Sequence, residues 1–140
     1  MQEEQILADW ILTAELGQAG AEGLPEAAER ASQKLGQLLT NLVTEVGSQA
    51  LFARALQAAR VEHPFLAGVQ TGTAPGVGLE GICASLQGAA PDVARQGIEV
   101  LFANLIGLLL VFLGEDLTRH LLGRMWDALP AEPGPDQQEA

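Results

Sequence analysis

The chain has 140 residues, of which 48% are hydrophobic and 4% aromatic, and its formal net charge is −11. Such a length suits one domain with a substantial core, and the apolar content excludes an intrinsically disordered chain. The chain contains seven lysine and arginine residues and eighteen acidic residues. Because binding to phosphates requires concentrated positive charge, this balance excludes a nucleic-acid partner and disfavours an anionic membrane surface.

The apolar residues are mostly Leu, Ala, Ile and Val, with no tyrosine, a mixture that favours helices over strands. We therefore predict an all-α fold, with a single compact bundle of about six helices in residues 1–129. Residues 130–140 are acidic and contain prolines but no large apolar group, so they are predicted to form a disordered tail. A single cysteine, Cys83, rules out an internal disulfide; together with an acidic N-terminal segment, it favours a cytoplasmic location.

Three amphipathic helices are predicted in the first part of the chain. The first covers residues 2–16, where apolar side chains recur on one face and acids occupy the first turn. A second helix starts at Pro25, carries leucines and valines at spacings of three and four, and is expected to stop at Gly47. Ser48 is then the expected cap of a third helix, which ends before Pro64.

The stretch 63–78 is the only long irregular segment, rich in Gly, Thr and Pro. At its end, residues 76–81 read GVGLEG and match the G-x-G-x-x-G pattern of dinucleotide-binding loops. That pattern requires a preceding strand, which is not predicted, and Glu80 would repel a phosphate, so the motif is interpreted as a flexible entry to a short fourth helix. Cys83 is predicted to be a buried packing residue, because it shares an apolar face with Leu79, Ile82 and Leu86.

The fifth helix, predicted over about residues 91–112, is the most apolar element of the chain. Residues 100–114 contain no charge, but these fifteen residues fall short of the about 20 that span a bilayer. A helix that is apolar on every side is typical of the centre of a soluble bundle. After a break at Gly114, the sixth helix, over residues 115–129, is amphipathic and therefore unsuited to be a second membrane-inserting leg.

Small and polar residues recur in the fifth helix at regular spacings. Gly97, Asn104 and Val111 lie seven residues apart, and Gly107 follows Ala103 by four. A single asparagine at a core position of paired helices sets their register. One interpretation is therefore a homodimer interface that contains Gly97, Asn104, Gly107 and Val111. The alternative is that Asn104 bonds to a backbone carbonyl within its own monomer.

Few side chains suggest chemistry. The candidate functional cluster consists of His63, Asp116 and His120. His120 follows Asp116 by four residues, a spacing that also occurs in ordinary ion pairs on helix surfaces. We assign no catalytic residue, no cofactor-binding residue and no metal ligand.

These features predict a non-enzymatic helical interaction or regulatory module. It is expected to be homodimeric and to offer an apolar groove to a protein or peptide partner. The alternative is a small-molecule or lipid sensor with an apolar pocket between helices, which a closed cavity would favour over an open groove. A membrane-inserting helical bundle and an enzyme fit the sequence less well.

Overall fold

The computed structural model describes residues 3–19, 23–71 and 79–125. The all-α prediction is confirmed, with short non-helical pieces between α3 and α4. The elements in chain order are α1 (Glu3–Ala19), α2 (Leu24–Leu42), α3 (Glu45–Glu62), a 3₁₀ helix (Pro64–Gly68), β1 (Gln70–Thr71), β2 (Leu79–Glu80), α4 (Ile82–Gln87), α5 (Pro91–Leu113) and α6 (Glu115–Met125). The predicted boundary at residue 129 and the predicted tail at 130–140 lie outside the described residues.

The apolar helix α5 lies at the centre of the bundle. It packs most extensively against α1 and α3, and it also contacts α2, α4 and α6. By length and composition alone α5 could cross a membrane, a property that it shares with the core helices of soluble proteins. Its buried residues are Ala94, Gly97, Ile98, Leu101, Phe102, Ala103, Leu105, Ile106 and Leu109.

The last turn of α5 differs from the rest of the helix. Val111 is 81% exposed and Phe112 is 67% exposed. Gly114 ends the helix with a φ of +88°, a conformation that glycine adopts at little cost. The cover provided by the surrounding helices is therefore incomplete at this end of α5.

The boundary between α2 and α3 is earlier than the sequence predicts. α2 ends at Leu42, and Thr44 caps α3, its Oγ1 accepting a hydrogen bond from the Gly47 backbone N–H at 3.0 Å. The predicted stop at Gly47 and cap at Ser48 are wrong, because Thr44 has the extended backbone and side-chain oxygen that a cap requires. As a result Val46 is 76% exposed instead of joining the core.

The segment after α3 contains a small pair of strands, which the sequence does not predict. Gln70 pairs with Glu80, and Thr71 pairs with Leu79, in an antiparallel bridge. Leu79 therefore belongs to a strand and not to α4. Two-residue strands carry too little alternation to be recognised in a sequence.

Candidate functional site: an apolar groove

The described residues form an apolar groove between the C-terminal end of α2, the N-terminal half of α3 and the last turns of α5. Its volume is about 560 Å³. The lining residues are Leu39, Leu42, Val43, Gly47, Ala50, Leu51, Arg54, Leu109, Phe112 and Leu113. We refer to this site as the apolar groove.

The apolar groove is open to solvent. Its floor is formed by the buried side chains of Leu39 and Leu109, whereas Val43, Ala50 and Phe112 on its walls are exposed. A Cβ at Gly47 would lie 3.3 Å from the Thr44 Oγ1 and 3.4 Å from the Val43 side chain, so this glycine fits closely against the α2–α3 turn. Contiguous apolar surface of this kind is typical of interaction sites.

Arg54 is the charged residue of the groove lining. It also lines a shallower depression of about 330 Å³ on the other side of its side chain. That depression, between α3 and α5, contains Asn104, Gly107 and Val111 together with Glu4 of α1 and several apolar residues. The cation therefore lies between two concave, mostly apolar surfaces.

Three of the predicted interface residues share this depression. The Asn104 Nδ2 donates a hydrogen bond to the Ala55 carbonyl of α3 at 3.3 Å, which is the intramonomer bond of the alternative interpretation. A Cβ at Gly107 would meet only Glu4, at 3.9 Å, and Val111 is exposed. An interface through these three residues stays a prediction.

The fourth predicted interface residue, Gly97, lies elsewhere. It is buried under the 3₁₀ helix, where a Cβ would come within 2.4 Å of the Phe65 Cζ. Gly97 therefore serves close packing inside the monomer and is not part of an exposed surface with Val111. Heptad spacing alone suggested otherwise, because a helix of 3.6 residues per turn drifts away from a strict seven-residue repeat.

The predicted functional cluster consisted of His63, Asp116 and His120, and the structure does not bring these residues together. His63 lies beside Gly97, its Cβ 3.5 Å from where a Cβ of that glycine would be. The helix α6, which carries the other two, is anchored near the other end of α5, where Thr118 Oγ1 donates to the Leu109 carbonyl at 3.2 Å. Gly97 and Leu109 are about 18 Å apart along the helix axis.

His63 instead lies at a polar depression of about 370 Å³ between α1 and α5. Asp9 and Glu99 line it, and Arg95 bridges them through its Nη2 and Nε, each 2.7 Å from a carboxylate oxygen. Burial raises the pKa of the Glu99 carboxyl, Arg95 opposes that rise and Asp9 adds to it. The arrangement ties α1 to α5.

Within the described ranges, no three side chains of the types that hold metals converge.

Cys83 is half-buried, not fully buried as predicted. Its Sγ lies 3.9 Å from the Glu26 Oε2 and accepts a hydrogen bond from the Gln87 Nε2 at 3.4 Å. Burial raises the pKa of the thiol, and the carboxylates of Glu26 and Glu29 raise it further. A neutral thiol beside two carboxylates is a poor nucleophile.

A buried ion network joins α1 to α2, and the sequence contains no signal for it. The fully buried Glu15 accepts from Arg30 at 3.3 Å and also pairs with Lys34. Removal of Glu15 would take away the buried carboxylate that the partly buried Arg30 and Lys34 share, which is costly. The network accordingly has a structural role.

The apolar groove differs from these polar clusters because the apolar side chains on its walls are exposed to solvent. A signal for it is present in the sequence, since apolar residues continue to the last turn of α5 beyond the part that neighbouring helices can cover. Comparisons of the chain with protein-family models, with curated proteins and with solved structures find no match.

Proposed function

We propose that this protein is a non-enzymatic helical interaction module, with an adaptor or regulatory role, whose apolar groove binds an amphipathic helix of a partner protein. The observation that carries the proposal is an open groove with an apolar floor, flanked by Phe112 with 67% of its surface exposed. Amphipathic helices bind such grooves through apolar anchors spaced three and four residues apart.

The shape of the groove supports a helix more than a small apolar ligand. A sensor for a small molecule would bury most of its ligand's surface in an enclosed pocket. Here exposure increases from the buried Leu39 on the floor to the exposed Phe112 on the wall. An amphipathic helix fits this gradient, because its anchors reach the floor while its polar face stays in water.

The net charge of −11 indicates which sign of charge the polar face of the partner helix should carry. Complementary charge accelerates encounter and suppresses wrong partners. We therefore expect basic residues on the face of the partner helix that remains in solvent.

The test uses a displayed library of amphipathic helical peptides, with leucines at fixed anchor positions and all other positions randomised. Peptides selected on the wild-type protein should bind Phe112→Ser about tenfold or more weakly, since burial of a phenylalanine contributes about 1.5–3 kcal/mol. Val61→Ser is the control, because Val61 is also apolar and exposed but lies outside the groove.

The control variant should bind the peptides as the wild type does. Equal affinity of Phe112→Ser and Val61→Ser for every selected peptide would overturn the proposal, as would a selection that yields no binder. Circular dichroism of both variants checks that the fold is retained.

A second candidate is self-association through α5, and one observation favours it. Val111 is 81% exposed beside Gly107, whose lack of a side chain would let a second helix approach closely. A homodimer formed there would leave the apolar groove accessible, because the groove lies on the other side of Arg54.

A further inference from the structure

Arg54 has an unusual environment for an exposed cation. On its own helix its neighbours at the groove and the adjacent depression are Ala50, Leu51 and Ala58, and across from it lie Leu108 and Val111 of α5. Glu4 of α1 also borders the depression but forms no ion pair with Arg54. It has no hydrogen bond or ion pair within residues 3–19, 23–71 and 79–125. The Arg54 guanidinium is exposed to solvent at the edge of the groove, where a carboxylate of a bound partner could reach it.

Most other cations of the chain are already engaged within the described residues. The engaged pairs and bonds are Arg30 and Lys34 with Glu15, Arg60 with the carbonyls of Leu66 and Val69, Arg95 with Asp9 and Glu99, and Arg119 with Glu3. Arg124 is the other cation without such a contact, but it borders a depression that also contains the polar Gln37 and Asn41. Arg54 alone combines an open position with an apolar groove.

We propose that Arg54 selects the occupant of the groove, which is an amphipathic helix that carries an aspartate or glutamate within one turn of an apolar anchor. This inference rests on the proposed function. The carboxylate would accept hydrogen bonds from the guanidinium, a pairing whose planar geometry is specific for Arg. When the helix covers the groove, water leaves the pair and the attraction strengthens.

The same geometry disfavours helices that lack the acid. Covering Arg54 with an apolar or amide side chain would remove its water without providing a partner, and a desolvated unpaired charge is unfavourable. The partner helix is therefore basic on its solvent face but acidic at one position on its inner face.

The experiment repeats the selection from the same peptide library on the wild type and on Arg54→Glu. Peptides selected on the wild type should be enriched in Asp or Glu at one position within a turn of an anchor leucine. Peptides selected on Arg54→Glu should carry Lys or Arg there. In a wild-type binder, exchange of that acid for Gln should weaken binding about tenfold, whereas Arg54→Gln should bind both peptides equally.

Arg124→Gln is the matched control and should leave the selection and the affinities unchanged. Peptides that require Phe112 but show no acid preference would overturn this inference and leave the proposed function intact. Peptides whose binding depends on neither Phe112 nor Arg54, or an empty selection, would overturn both. Because Arg54 is exposed, its substitution leaves the core unchanged, and a urea melt of each variant verifies this.

Discussion

The thiol of Cys83 can be reached from solvent, yet its neighbours oppose its ionisation. Burial raises the pKa of the thiol, and the carboxylates of Glu26 and Glu29 raise it further. The thiolate is the reactive form of cysteine, so a raised pKa lowers the reactive fraction at neutral pH. The raised pKa does not follow from the position of Cys83 on α4 alone, because both carboxylates belong to α2.

Alkylation of Cys83 by iodoacetamide should therefore be slower at pH 7 than that of a free cysteine. Its rate should keep rising with pH beyond the point at which free cysteine levels off, since the thiolate forms only as pH passes the raised pKa. The double variant Glu26→Gln, Glu29→Gln should react faster at pH 7, whereas Glu62→Gln, at an exposed distant site, should not. A wild-type rate equal to that of free cysteine would contradict this account.

At the scale of elements, two glycines of α5 have opposite surroundings. Gly97 allows the 3₁₀ helix to pack on α5, since a Cβ there would lie 2.4 Å from the Phe65 ring. A Cβ at Gly107 would meet only Glu4, at 3.9 Å, an ordinary contact. Both positions are helical, so alanine is intrinsically favoured over glycine at each by about 1 kcal/mol.

The substitution Gly97→Ala should lower the free energy of unfolding by about 1–3 kcal/mol, because overpacking outweighs the gain in helix propensity. Gly107→Ala is the matched control and should raise it by up to about 1 kcal/mol. In a Phe65→Ala background the cost of Gly97→Ala should disappear, since the clashing ring is gone. Urea unfolding measures all four variants, and an equal cost of Gly97→Ala in both backgrounds would refute the packing explanation.

At the scale of the whole molecule, exposed apolar side chains are concentrated at one end of the bundle. Here the turn between α2 and α3 and the first turn of α3 meet the end of α5 and the start of α6. Of the seven large apolar residues exposed within the described ranges, five lie in these segments, namely Val43, Val46, Val111, Phe112 and Leu117. Since exposed apolar surface of this extent is typical of interaction sites, we expect binding partners to approach the molecule there.

If α5 mediates self-association, the wild type should sediment as a dimer at equilibrium. Gly107→Leu should shift it to monomer, because a bulky side chain separates the helices, and Val111→Glu should do so by placing like charges opposite each other. Val61→Glu adds the same charge at an exposed site on α3 and should leave the dimer unchanged. A monomeric wild type would end the interface prediction and leave Asn104 with its bond to Ala55 alone.

The bounds of α5 illustrate how far local sequence suffices. The predicted range of about 91–112 agrees with the observed Pro91–Leu113 within one residue, because a proline at the start and a glycine after the end act locally. The prediction of the α2–α3 boundary is wrong because the sequence contains two competing local signals. Thr44 and Gly47 are both local signals for a boundary, and only the folded chain shows that Thr44 supplies the cap.

The sequence by itself determined the all-α class, the central position of the apolar helix and most helix ends, because these depend on side chains three or four positions apart. Only the tertiary structure decided which residues form the candidate site. It placed Phe65 on Gly97, moved His63 next to Asp9 and away from Asp116, and left Arg54 unpaired at the groove. Each of these outcomes depends on contacts between helices distant in the chain, which spacing along a single helix cannot specify.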